Sequence, residues 1–320
     1  MLLNIIIVLI SFGILIKGAD YFVKGAASIA VKLGMSAFVV GLTIVAIGTS
    51  APELFVNVSA VLKGSTELSI GNILGSNVIN ILLGLGISAI IVPLSIEKRT
   101  VWKEIPFSLL AAIMIFIFGS DRFIEGVGEN VITRIDGLAL LGFFILFIVY
   151  TFGLASVEKS GENGDEIENI SLVKSIFYTI GGIFALVLGG NFVVSAATEI
   201  AVSLNISENL IGLTIVAIGT SLPEIVMSAI GARKGHVDLV VGGIVGSCIF
   251  NALFALGVTA TVGDLAFTGD NIIDALFLVL VSVILFVFMF IGKKKVLEKS
   301  QGIFFVLLYV AYILFAVLRG

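Results

Sequence analysis

Charge is what this chain has least of. Only 12% of its 320 residues are Asp, Glu, Lys or Arg, while 59% are hydrophobic. A soluble domain carries roughly 25% charged residues. The deficit excludes an ordinary soluble globular protein and leaves long apolar runs whose solvent is lipid. A single cysteine, Cys248, excludes an internal disulfide and a Cys-x-x-Cys metal site. A single histidine, His236, excludes a multi-histidine zinc centre, and its Lys-Gly-His-Val-Asp setting reads as a loop. The net charge of −4 is small, and nothing points to nucleic acid. The start, Met-Leu-Leu-Asn-Ile, lacks the basic stretch of a cleaved signal peptide, so the first span is expected to stay.

A membrane helix needs about 20 mostly apolar residues. Ten such spans are predicted, at 2–22, 36–62, 68–94, 102–119, 132–153, 174–203, 210–233, 237–262, 271–292 and 302–319. The second, third, seventh and eighth are long and rich in Gly, Ser, Thr and Asn, so they are expected to face other helices. The polar stretch 157–171 carries Glu158, Glu162, Asp165, Glu166 and Glu168 and reads as an acidic linker between two halves, 1–156 and 172–320. With both termini outside, 14 of the 18 basic residues fall on the cytoplasmic side, together with the linker.

The two halves repeat each other. Gly41–Ser50 and Gly212–Ser221 both read GLTIVAIGTS, ten identical residues at an offset of 171. Without gaps, the same offset pairs Gly18 with Gly189, Pro52 with Pro223, Glu53 with Glu224 and Lys63 with Lys234. It also pairs Gly75 with Gly246, Ser76 with Ser247 and Asn80 with Asn251. Five spans per half is an odd number, so the second copy enters the membrane from the opposite side. The predicted fold is therefore all-α: ten transmembrane helices in two inverted-topology five-helix repeats. Polar segments at matched mid-membrane positions in such a repeat mark a transporter.

The chemistry concentrates in Gly48-Thr49-Ser50-Ala51-Pro52-Glu53 and its second copy, which runs from Gly219 through Thr220, Ser221 and Pro223 to Glu224. A charged side chain at mid-span costs at least about 2.5 kcal/mol and persists only if compensated. Thr49 and Glu53 lie four apart and share a helix face. Proline has no N–H and clashes with the carbonyl four residues back. Carbonyls around Ala46–Gly48 are then free to face an ion, as are those near Ala217 in the second copy. A lone proline would read as a packing bend; two of the chain's four prolines, each one residue before a glutamate, read as an ion site. The following span supplies Ser76 and Asn80 on one face, and its mate supplies Ser247 and Asn251. Alone, each would be helix–helix glue; beside the glutamates they read as hard oxygen ligands of the kind Ca²⁺ and Na⁺ prefer. Two carboxylates match one Ca²⁺, or two to three Na⁺, and no Lys or Arg stands near to favour an anion.

GTSAPE followed by GNILGSNVIN, and GTSLPE followed by GGIVGSCIFN, resemble the alpha repeats of sodium/calcium exchangers of the calcium/cation antiporter superfamily, and the chain is similar to prokaryotic members over nearly its whole length. The resemblance implies alternating access, with the first and sixth spans moving against the other eight. It implies ligands at the carbonyls of Ala46 and Ala217 and at Thr49, Ser50, Glu53, Ser76, Asn80, Thr220, Ser221, Glu224 and Ser247. Some relatives carry Asp where this chain has Asn251, which implies transport without potassium here. No cofactor is implied; the transported ions are Ca²⁺ and Na⁺, and the partners are those ions and the bilayer, with no nucleic acid and no protein. The competing readings are a proton-coupled Ca²⁺/cation antiporter and a cation channel. An inverted internal repeat argues against the channel, and no Ser–His, His-Glu-x-x-His or paired-aspartate pattern supports an intramembrane protease.

Overall fold

The computed structural model describes residues 2–126, 128–157, 170–203 and 217–319. Most of the acidic linker and the first part of the second GLTIVAIGTS lie outside the described residues. Within them the chain is helical, with two short strand pairs. Helix α1 runs Leu2–Leu33, α2 Ala37–Leu62, α3 Thr66–Ile91, α4 Lys98–Gly119 and α5 Arg134–Val157. In the second half α6 is Leu172–Ser203 and α7 is described over Ala217–Thr220 and Leu222–Arg233. They are followed by α8 Val237–Val262, α9 Gly269–Phe288 and α10 Lys299–Arg319. Nine of these are long and apolar enough to cross a membrane within the described residues alone.

Several helix ends shift by three or four residues from the sequence reading, among them α3 ending at Ile91, α4 starting at Lys98, α5 ending at Val157 and α10 starting at Lys299, and two of the differences have a plain physical reason. Helix α1 continues past residue 22 to Leu33, because its second half buries Phe22, Val23, Ala26 and Ala30 against neighbours. It stops where Gly34 takes φ 64°, with Lys32 in the last turn. Helix α9 ends at Phe288 rather than 292, and the chain turns through Gly292 at φ 77°.

The inverted relation of the halves is visible in the connections. Gly64 and Gly235, a matched pair at the offset of 171, end α2 and α7 with φ 79° and 80°, a left-handed turn that favours glycine. Strand β1 (Leu94–Ser95) pairs antiparallel with β4 (Val296–Leu297), and β2 (Val131–Ile132) with β3 (Leu265–Ala266). By the repeat, Leu94 corresponds to Leu265. Each ribbon thus joins one half to the other, and the two ribbons are equivalents of one another. Paired strands must lie on one side of the membrane. An even number of crossings separates β1 from β4, so the α7 segment counts as a crossing and the total is ten.

Helices α8 and α3 form the centre, with 94% and 78% of their most apolar stretch buried, against 22% for α5. Peripheral helices instead present apolar side chains outward, among them Leu138, Ile145 and Leu146 of α5, as lipid-facing surfaces require. Helix α8 of the second half packs closely on α2 of the first. A Cβ on Gly246 would stand 2.7 Å from the carbonyl oxygen of Leu42 and 2.8 Å from Ala46 Cβ, so glycine is what lets the halves interlock there. Cys248 Sγ donates to the carbonyl of Asn77 at 3.9 Å; these two residues are repeat mates, so their contact marks the pseudo-two-fold axis.

Candidate ion-binding site

The four polar helices meet around this axis: α2 packs on α3 and α8, and α7 packs on α8 and α3. Among the described residues, three of the helices contain a π-helical stretch: Gly41–Val45 in α2, Asn80–Leu85 in α3 and Phe250–Ala255 in α8. The last two are repeat mates within one residue. A π turn widens the helix, leaves carbonyls without their usual partner and occurs often at functional sites. Asn80 and Asn251 sit at or next to the start of these stretches, and Ala46 begins the α-helix just after the first.

Pro52 lies inside an unbroken helix from Ala46 to Leu62. Its mate Pro223 follows an actual break: Ala217–Thr220 is helical, Ser221 leaves the helix at φ −92° and ψ 4°, and the helix restarts at Leu222. The Pro-Glu step thus follows a break in α7, whereas in α2 the helix runs through it.

The side chains converge across the two halves. Ser50 Oγ donates to Glu224 Oε1 at 3.0 Å, and Thr49 Oγ1 lies 3.5 Å from Ser247 Oγ while donating to the carbonyl of Val45 at 3.1 Å. Glu53 and Glu224 are fully buried within electrostatic reach of one another. Thr49, Ser50, Ser76, Asn80, Ser221, Ser247 and Asn251 are buried too, and Thr220 is half-buried. Ala46 is buried in α2, and Ala217 opens its helical turn.

Among the described residues, many of these buried polar atoms lack a protein partner. They include both oxygens of Glu53, Glu224 Oε2, the hydroxyls of Ser76 and Ser221, and both amide atoms of Asn80 and Asn251. Buried polar groups are otherwise almost always paired. An acceptor-rich cluster of this kind, with no Lys or Arg among its members, has the chemistry of a site for hard cations. No cluster of three or more His, Cys, Asp or Glu occurs among the described residues, so serine, threonine and asparagine oxygens must complete any coordination shell.

A neighbouring polar chain was not anticipated from sequence. Asn72 Nδ2 donates to Asn57 Oδ1 at 2.9 Å, and Asn72 Oδ1 accepts from Thr220 Oγ1 at 3.2 Å. Asn57 lies one turn beyond Glu53, and its repeat mate Ser228 lies one turn beyond Glu224; both are buried. The offset of 171 pairs them, and the i, i+4 step from each glutamate was the signal that could have found them.

Two inverted halves that share a buried, carboxylate-bearing centre define a multi-pass membrane transporter for cations, not an enzyme. The family profile described as sodium/calcium exchanger protein matches residues 3–153 and 174–318. The sodium/calcium exchanger MaX1 of Methanosarcina acetivorans is 30% identical over 343 residues, 97% of each chain. The putative antiporter CaxA of Alkalimonas amylolytica is 34% identical over 325 residues, 98% of each. The sodium-calcium exchanger NCX_Mj, in crystals soaked with 2.5 mM Na⁺ and 10 mM Sr²⁺, has the same fold, with a TM-score of 0.83 and 35% identity over 98% of both chains. The chain belongs to the sodium/calcium exchanger family and is an all-helical, sodium/calcium-exchanger-like cation antiporter.

Proposed function

We propose that this protein exchanges Ca²⁺ for Na⁺ across the cell membrane, holding both ions in turn at one midplane site. The observation that carries this reading is the cross-half pair Glu53 and Glu224, buried with three of four carboxylate oxygens lacking a protein partner among the described residues. Two carboxylates offset the charge of one Ca²⁺, and two or three Na⁺ on the same oxygens serve the return step. Ca²⁺ takes six to eight oxygens. Thr49, Ser50, Ser76, Asn80, Thr220, Ser221, Ser247 and Asn251, with the carbonyls of Ala46 and Ala217, supply the remainder. NCX_Mj, which shares the fold, was soaked with Na⁺, Ca²⁺ and Sr²⁺. Here α1 and α6, which pack along each other, slide as a pair to expose the site alternately. Both termini lie outside and the 157–171 linker is cytoplasmic, between repeat units 1–156 and 172–320.

The test is calcium uptake into proteoliposomes with and without an outward sodium gradient. Uptake that follows the sodium gradient is expected; uptake that follows a proton gradient and ignores sodium would replace Na⁺ with H⁺ as the coupling ion. For orientation, cysteines at positions 160 and 320 on a Cys248→Ser background are probed in intact cells with an impermeant thiol reagent. Labelling at 320 and none at 160 is expected.

A further inference from the structure

The two inter-half ribbons are equivalent in backbone and opposite in charge. Around β2 and β3 the connections carry Asp121, Glu125, Glu129, Asp264 and Asp270 against Arg122 and Arg134, with Asp270 also paired to Arg319 at 3.2 Å. Around β1 and β4 the balance reverses. The first connection brings Lys98, Arg99 and Lys103; the second, about two hundred residues later, brings Lys293, Lys294, Lys295 and Lys299. Seven of the chain's 18 basic residues thus gather at one ribbon, with Glu97, Glu104 and Glu298 the acids among them. Glu104 is fully buried, held by the Tyr150 hydroxyl at 2.5 Å and by Arg99 Nε at 3.5 Å, so it does little to neutralise the surface.

The lysines are presented rather than scattered. The amide of Ile96 donates to the carbonyl of Lys295 at 2.7 Å, tying the two connections together. Lys295 itself has φ 63°, a left-handed conformation that non-glycine residues rarely adopt. Lys98, Lys103, Lys293, Lys294, Lys295 and Lys299 are all exposed. Beside them Trp102 is 57% exposed and stacks edge-on against Phe286 of α9 and Phe290 just beyond its end, with centroids at 5.9 and 5.3 Å. Tryptophan with one apolar side packed and one side open is the residue that settles at the lipid headgroup level. Setting membrane orientation requires only that basic residues lie on one side. It does not require that two distant connections be bound together by a ribbon next to an interfacial tryptophan.

We propose that the β1–β4 face, Trp102 included, is a binding site for anionic phospholipid headgroups, whose phosphates the clustered lysines recognise. Which leaflet supplies them rests on the orientation proposed above; the recognition chemistry does not, nor does it depend on the coupling ion.

Trp102 is the chain's only tryptophan and reports on the site directly. The full-length protein is reconstituted in vesicles containing either phosphatidylglycerol or phosphatidylcholine with the same brominated acyl chains, at equal mole fraction and present in both leaflets. Quenching of Trp102 is expected to give about a fivefold or greater preference for phosphatidylglycerol, each lysine near a membrane surface contributing about that factor. Lys293→Gln/Lys294→Gln/Lys299→Gln should cut the preference by about fivefold or more. Lys63→Gln/Arg122→Gln, which alters charge on the other face, should leave it intact. Equal quenching by the two lipids in the unmodified protein would overturn the proposal and leave the patch to a soluble acidic partner. Loss of preference in the opposite-face variant as well would also overturn it, by showing that overall charge and not this face attracts the lipid. Sodium-driven calcium uptake measured on the same vesicles keeps failure here distinct from failure of the ion-exchange reading.

Discussion

Helices α2 and α7 carry the same motif, yet the structure treats the copies differently. In α2 the chain runs helically through Pro52; in α7 it breaks at Ser221 before Pro223. Glu224 accepts a hydrogen bond from Ser50, whereas among the described residues neither Glu53 nor Ser221, the inverted equivalents of that pair, has such a bond. An inverted repeat with identical halves would sit with its centre equally open to both sides. Unequal use of equal residues is what alternating access demands: one copy's contacts are made while the other's are broken, and the roles exchange.

The strongest way to break the comparison is to neutralise each glutamate. Glu53→Gln and Glu224→Gln should each weaken calcium binding more than about 100-fold, since removing one member of a buried charge pair costs about 3–5 kcal/mol. Isothermal titration and vesicle uptake check this. The copies should differ without calcium: Glu53→Gln relieves two orphaned oxygens and should raise Tm, while Glu224→Gln also disturbs the bond from Ser50 and should raise it less. Retained sodium-driven calcium exchange in either variant would remove these residues from the site.

Next in size is the asparagine pair. Both amide atoms of Asn80 and Asn251 lack protein partners among the described residues. With two carboxylates the proposed site would balance one Ca²⁺. Asn251→Asp adds a third and leaves one negative charge, which a monovalent cation would fill. Calcium affinity in that variant should rise about tenfold on adding potassium, while the unmodified protein should be indifferent to it. If Asn80→Asp behaves alike, both amides face the ions. If it only lowers Tm, Asn80 serves the helix packing instead.

Much of this was legible in sequence because lipid leaves few choices. Ten apolar runs, an odd number per half and a gapless offset of 171 dictated the inverted fold. Buried glutamates beside prolines pointed to the centre, and the structure joins Ser50 to Glu224 and Thr49 to Ser247 across the halves. Three things were not legible. The extension of α1 to Leu33 depends on what packs around Phe22–Ala30, which the apolar run alone does not reveal, although the offset of 171 from the longer sixth span, 174–203, carried the signal. The π stretches in α2, α3 and α8 have no residue signature. The chain Asn57–Asn72–Thr220 joins residues from two halves, one of them without a polar repeat mate, so repeat matching passed over it.

The prolines test the asymmetry of the backbone. Pro223→Ala restores an N–H where α7 is broken and permits a continuous helix, so exchange should slow by about fivefold as one conformation is favoured. Pro52→Ala acts where the helix is already continuous, and its effect on initial uptake rate should stay within about twofold. Equal effects would mean that the break at Ser221 is not tied to its proline.

The smallest expected effects belong to the serines, and they sharpen the comparison most. In the proposed site each hydroxyl would be one ligand among six to eight, and water can replace it, so Ser50→Ala and Ser221→Ala should each weaken calcium binding by only about threefold. Their effects without calcium should diverge. Ser50→Ala strips Glu224 of the hydrogen bond it holds at 3.0 Å and leaves another buried carboxylate oxygen without a donor. That should lower Tm by about 2–4 °C. Ser221 makes no bond to Glu53 to lose, and its own hydroxyl is among the buried atoms without a partner among the described residues. Ser221→Ala should therefore leave Tm unchanged or raise it slightly, since removing an unsatisfied buried hydroxyl relieves its desolvation. Thermal melts of both variants in calcium-free and calcium-saturated buffer separate the two contributions. A divergence without calcium that vanishes with it would show that the bound ion evens out what the resting backbone holds apart. Equal shifts in both conditions would mean that Ser50 and Ser221 are interchangeable, and the difference between α2 and α7 would then carry no energy.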